Sequence, residues 1–99
     1  MSVKLSVCRI KEDAIEEELV RKVHELGGRC EKVQVIGRRG FFDRLVILPG
    51  GKIIFVEVKR PRGGKFAEHQ RRYAEEYKAL GAAVALIRSW EDIHRLLNE

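Results

Sequence analysis

The sequence predicts an α/β fold, a four-stranded mixed sheet flanked by helices in the order α-β-β-β-α-β. Three observations predict it. Two apolar, β-branched runs flank Pro49-Gly50-Gly51, a hairpin signal. Apolar residues recur at helical spacing in two stretches, each closed by glycine, at Gly27-Gly28 and Gly81. A buried-looking run, Ala82 to Ile87, follows the second stretch, so a β-α-β crossover with parallel strands is expected there.

Residues 3 to 10 read as a short extended lead-in. From Lys11 to Leu26 the period is helical, with Ile15, Leu19, Val20, Val23 and Leu26 on one face. Glu12 and Glu16 fall on that face too, which is costly unless each carboxylate is paired or binds metal. Residues 29 to 36 form a rather polar first strand, and Gly37-Arg38-Arg39-Gly40 a basic turn. The hairpin from Gly40 to Lys59 comes next. Its second strand is apolar on both faces, with Ile53, Phe55 and Glu57 on one side and Ile54, Val56 and Val58 on the other, as in a central strand. Pro61, Gly63 and Gly64 form a loop before a helix from Lys65 to Leu80, whose stripe is Phe66, Tyr73, Ala74, Tyr77 and Leu80. Gln70 sits within that stripe. Ser89 with Asp92 reads as a capping box opening a last helix, with Ile93, Leu96 and Leu97 turned inward.

A chain of 99 residues suits one domain spanning residues 1–99. With 44% hydrophobic and 35% charged residues it reads as globular, and no apolar run approaches the roughly 20 residues a spanning helix needs. Cys8 and Cys30 lack metal-ligand spacing and read as reduced thiols, which fits a cytoplasmic location. The net charge of +5 is unevenly spread. Five of the fifteen acids lie between residues 12 and 18, whereas residues 59 to 72 hold Lys59, Arg60, Arg62, Lys65, Arg71 and Arg72 against Glu68 alone. A basic segment directly after the Glu57 strand points to a polyanion bound at that end of the sheet.

Antiparallel pairing brings Asp43, at the start of one hairpin strand, beside Glu57 and Lys59 at the end of the other. Helical phase adds Glu12, Glu16 and Gln70 to the same rim. Oxygen ligands of this kind suit Mg²⁺ or Mn²⁺, for which one or two carboxylates with waters suffice. Such a cation polarises a phosphoryl oxygen and activates a water for phosphodiester hydrolysis. Lys59, two residues from Glu57 on a strand, projects to the same side and can orient the water or stabilise transition-state charge. Gln70 can hydrogen-bond the nucleophile or Lys59. Taken singly, each residue has an ordinary structural reading: a turn acid, a cross-strand ion pair, a satisfied amide, acids favoured at a helix N-terminus. Together, beside a basic loop, they point to a metal-dependent nuclease.

Asp43 with Glu57-Val58-Lys59 resembles the PD-(D/E)XK nuclease core. Glu12 before the first helix, Gly40-x-x-Asp43, Pro49-Gly50-Gly51, Phe55-Val56-Glu57-Val58-Lys59-x-Pro61 and Gln70 are similar to the VRR-NUC branch, from about Glu12 to Leu97. The resemblance implies a restriction-endonuclease-like core and a Mg²⁺- or Mn²⁺-dependent, structure-selective endonuclease. It implies catalytic roles for Asp43, Glu57, Lys59, Gln70, Glu16 and Glu12, with metal held by Asp43, Glu57, Val58 and either Glu12 or Glu16. Spacing to Gly27 favours Glu12 in this branch, while that of archaeal junction resolvases favours Glu16. Small stand-alone members resemble Holliday-junction resolvases and act as homodimers. The implied partner is therefore branched or junction DNA, with no membrane and no nucleotide cofactor, in a bacterial, phage-infected or archaeal cell. Arg38, Arg39, Arg60, Arg62, Lys65, Arg71 and Arg72 are the expected phosphate contacts. Phe42 stands where the family usually has proline before the metal-binding Asp. Alternatives are a nuclease of nicks, flaps or linear ends, a non-catalytic nucleic-acid-binding module, and a small structural domain.

Overall fold

A computed structural model of the chain describes residues 11–38, 40–63 and 65–98. The expected lead-in at residues 3 to 10, Cys8 and Arg39 lie outside the described residues. The elements run α1 (Glu12–Glu25), β1 (Arg29–Lys32), β2 (Arg44–Leu48), β3 (Lys52–Val58), α2 (Glu68–Ala79), β4 (Ala83–Ile87) and α3 (Trp90–Leu97). The sheet order is β1-β2-β3-β4, antiparallel except for the β3–β4 pair, which is parallel. The fold is the mixed four-stranded α/β sheet the sequence predicts.

The hairpin turns through Pro49-Gly50-Gly51, where Gly51 N donates to Leu48 O at 3.0 Å and both glycines hold positive φ, at +92° and +87°. A side chain rarely adopts that backbone, so glycine is what allows the tight reversal. The pairing of Leu48 with Lys52 then carries the register to Arg44 opposite Val56.

Strand alternation divides the sheet into two faces. One presents Val46, Ile54, Val56, Val58 and Ile87, all buried, against Ile15, Leu19 and Val23 of α1 and Ile93 of α3. The other presents Phe55 and Glu57 toward α2. There Phe41, Phe42, Phe55, Tyr73 and Tyr77 pack ring on ring, with centroids 5.1 to 6.0 Å apart. The tyrosines thus serve as core, as expected. Ser89 Oγ caps α3 by accepting from Asp92 N at 3.0 Å, while the Asp92 carboxylate accepts from Arg88 N at 2.9 Å.

Several element boundaries differ from expectation. β1 ends at Lys32 instead of continuing to Ile36, because β2 begins only at Arg44 and, beyond the bond from Val33 N to Asp43 O at 3.4 Å, no described strand pairs with residues 34 to 36. α2 starts at Glu68, not Lys65, since Gln70 Oε1 reaches back to accept from Ala67 N at 3.0 Å and so closes the first turn. Leu26 and Leu80, expected to face inward, are 49% and 84% exposed. Both sit at helix C-caps, beyond the last turn that packs on the sheet. No described helix is long and apolar enough to cross a membrane.

Leu19, fully buried between α1 and the sheet, sets the scale of core packing. Leu19→Ala is expected to cost about 2–5 kcal/mol, and Leu26→Ala about 1 kcal/mol or less, both read from urea unfolding midpoints.

Candidate active site

β3 is the central strand, and Glu57 near its C-terminal end is 2% exposed. Burying a carboxylate there requires donors, and the fold supplies two. Lys59 Nζ lies 3.0 Å from Glu57 Oε2, because residues two apart on a strand share a face. Gln70 Nε2 donates to the same oxygen at 2.7 Å. The Gln70 amide is itself fixed, since its Oε1 accepts from Ala67 N at the start of α2. Among the described residues Glu57 Oε1 has no hydrogen-bond partner.

Asp43 precedes Arg44, whose register partner is Val56, so it stands opposite Glu57 at the hairpin's open end. Its Oδ2 accepts from Val58 N at 2.8 Å, which fixes the carboxylate. Val58 therefore enters this neighbourhood through its main chain, its side chain being buried in the core. Phe42, in the place of the usual proline, is 1% exposed and packs against Phe41, Phe55 and Tyr77. Burial of that ring anchors the residue before Asp43, where proline would act through backbone stiffness.

The helix acids lie elsewhere. Glu16 Oε2 accepts from Arg44 Nε at 2.7 Å, and Arg44 Nη1 also donates to Cys30 O at 3.2 Å. The cause is strand alternation: Arg44 points to the α1 face, whereas Asp43 and Glu57 belong to the α2 face. Glu16 and Arg44 line an open groove with Asp13, Glu17, Val20 and Arg21. Glu12 is exposed in the first turn of α1. Among the described residues no three His, Cys, Asp or Glu side chains are grouped to share a metal. The expected meeting of Glu12 and Glu16 with Asp43, Glu57 and Gln70 at one rim is therefore not what the structure shows. Arg44 is the residue the sequence reading missed; its sole signal is its place directly after Asp43, on the opposite face.

The basic residues sort by their partners. Arg71 is paired with both Glu68 and Glu75 at 2.7 Å, and Arg72 lies 4.0 Å from Glu68. Arg38 Nη1 donates to Tyr77 Oη at 3.3 Å, and its guanidinium sits 5.2 Å from the centre of the Tyr73 ring. Arg60, Arg62 and Lys65 are exposed, and no described acid pairs with them.

No family model matches the chain. Over 88 residues it is 47% identical to p44 of Acyrthosiphon pisum secondary endosymbiont phage 1, which carries the provisional name of a nuclease. That alignment covers 89% of this chain and 92% of the phage protein. A solved VRR-NUC domain superposes with a TM-score of 0.81 at 33% identity, covering 91% of this chain and 98% of the domain. The chain belongs to the VRR-NUC nuclease family. Its α/β sheet is the restriction-endonuclease-like fold of that family.

In this VRR-NUC nuclease the Glu57 carboxyl is pushed up to about 7, first by burial and then by the neighbouring charge of Asp43, with Lys59 and Gln70 opposing the shift. An unfolded chain releases that proton near the ordinary value of 4.5. Between those two values the folded protein holds more protons than the unfolded chain, so folding stability falls as pH rises through the window. In EDTA the melting temperature should therefore drop from pH 5 to pH 7.5. Glu57→Gln, which cannot ionise, should flatten that slope, and calorimetry at stepped pH checks both.

Proposed function

We propose that this nuclease is a divalent-metal-dependent endonuclease that hydrolyses phosphodiester bonds in four-way junctions or other branched DNA. The observation that supports it most is the state of two adjacent carboxylates. Each has one oxygen fixed by the protein, Glu57 Oε2 by Lys59 and Gln70 and Asp43 Oδ2 by Val58 N. Each keeps another without a hydrogen bond among the described residues, and Glu57 Oε1 is buried as well. Burying an unpaired carboxylate oxygen beside a second carboxylate is expensive unless a cation meets it. The donor set fits Mg²⁺ or Mn²⁺, hard cations that take one or two carboxylates and keep several waters. Asp43 and Glu57 would hold the ion, which when bound polarises the phosphoryl oxygen and acidifies a water.

The remaining residues act by position. Lys59 stands beside Glu57 with a fixed positive charge, placed to orient the attacking water and to offset charge developing on the phosphoryl oxygens. Gln70 holds the Glu57 carboxylate through an amide whose own orientation the α2 N-terminus sets. Glu16 is committed to Arg44, so in this reading the pair braces α1 against the start of β2. Arg60, Arg62 and Lys65, with no acid beside them, meet the DNA backbone as it leaves the site.

Family membership supports a nuclease. The branched substrate rests on the resemblance to junction resolvases. A homodimer is supported by apolar surface left on the α2 face, where Ile53 is 49% exposed on the strand that carries Phe55.

Cleavage of a synthetic four-way junction, beside nicked, flapped and linear DNAs, tests the reading. Activity with Mg²⁺ or Mn²⁺ should vanish in EDTA and in Glu57→Gln. Undiminished cutting by Glu57→Gln would sink the site assignment, and cutting confined to ends or flaps would sink the junction substrate. Gln70→Ala is expected to lose about 10–100-fold in metal affinity or activity. Arg60→Ala, Arg62→Ala and Lys65→Ala should each reduce the slope of log affinity against log salt by about 1. Arg71→Ala, already neutralised in the fold, should leave it nearly unchanged.

A further inference from the structure

The loop joining β1 to Asp43 carries a second feature. Arg38 N donates to Val35 O at 3.1 Å and Gly37 holds a φ of +85°, which together make a type II turn. A side chain built on Gly37 would meet nothing within 4 Å, so this tip stands clear of the body. The residue at its crest is Ile36, 99% exposed.

A single exposed apolar side chain is ordinary and by itself calls for no explanation. Two further facts distinguish Ile36. First, its mount is fixed. Arg38 is clamped by the Tyr77 hydroxyl and the Tyr73 ring, so the turn is tied to α2 two residues from the exposed isoleucine. Second, the mount is close to the catalytic end. The same loop runs on to Gly40, where an added Cβ would meet the His69 ring at 1.8 Å, and then through the packed Phe41 and Phe42 to Asp43. Along α2, Tyr77 lies seven residues after Gln70, about 10 Å at the helical rise.

We propose that Ile36 is a wedge, seating against an unstacked base of DNA held at the Asp43–Glu57 site, and that it gives this nuclease its preference for branched DNA. This rests on the nuclease reading above and adds the group that recognises the branch. At a branch point a base already lacks a stacking neighbour, so Ile36 buries apolar surface there without disrupting a stack. In continuous duplex the same contact first requires a base step to open. The difference between those two situations is the discrimination. Charge agrees with this occupant: the turn bears Arg38, the chain carries a net charge of +5, and Arg60, Arg62 and Lys65 follow β3 at the catalytic end of the sheet.

The test compares binding of the full chain to a four-way junction and to linear duplex of the same sequence, in EDTA so that nothing is cut. A 2-aminopurine at the branch reports unstacking. Wild type should favour the junction and change the probe's fluorescence. Ile36→Ser should lower the junction-to-duplex affinity ratio at least fivefold and suppress the fluorescence change, while Ile36→Leu restores both. A wild-type preference that Ile36→Ser retains overturns the wedge alone. Equal binding of both DNAs by wild type overturns the branched-substrate reading and the wedge with it. If Ile36→Ser changes the oligomeric state in sedimentation, Ile36 is a contact between two copies of the chain and the wedge is overturned.

Discussion

The burial of the Glu57 carboxylate in the central strand is the constraint on which the rest of the structure depends. A carboxylate at 2% exposure needs compensation, and the fold delivers it from three elements. β3 itself supplies Lys59, the start of α2 supplies Gln70, and the approach to β2 places Asp43 alongside. Among the described residues every donor to Glu57 reaches one of its oxygens, and the other is left without a hydrogen-bond partner. A structural ion pair would gain by satisfying both. The crowding of negative charge beside Asp43 raises the Glu57 carboxyl and costs the folded protein stability at neutral pH.

The two faces of the sheet divide the work. The face under α1 and α3 is aliphatic and dry, built from Ile15, Leu19, Val23, Val46, Ile54, Val56, Val58, Ile87 and Ile93. The face under α2 is aromatic and carries the candidate site. Its rings anchor the segment before Asp43, with Phe42 buried against Phe41, Phe55 and Tyr77. Arg44, one residue after Asp43, points to the other face and fastens it to Glu16 and the Cys30 carbonyl. The start of β2 is thus held from both sides.

Much of this was legible in the chain itself. Pro49-Gly50-Gly51 set the hairpin, the hairpin set the register, and the register placed Asp43 opposite Glu57 with Lys59 beside it. The helical stripe of Tyr73, Ala74 and Tyr77 revealed the packing face of α2, and Gln70 within that stripe marked itself as turned toward the sheet. Periodicity was less informative at the ends of elements. Leu26 and Leu80 continue the apolar pattern by sequence but stand past the last packed turn. Glu12 and Glu16 share the apolar phase of α1, yet phase gives only the face a residue shows, not which face of the sheet that helix covers.

That distinction separates what the sequence determined from what required the folded chain. Local patterns determined the elements, the hairpin and the Asp43–Glu57–Lys59 trio, because turn chemistry and strand alternation act over a few residues. The membership of the site was decided by tertiary packing. α1 and α2 lie on opposite faces of the sheet, so Gln70 meets Glu57 while Glu16 meets Arg44, and side chains close in phase are parted by a layer of strands.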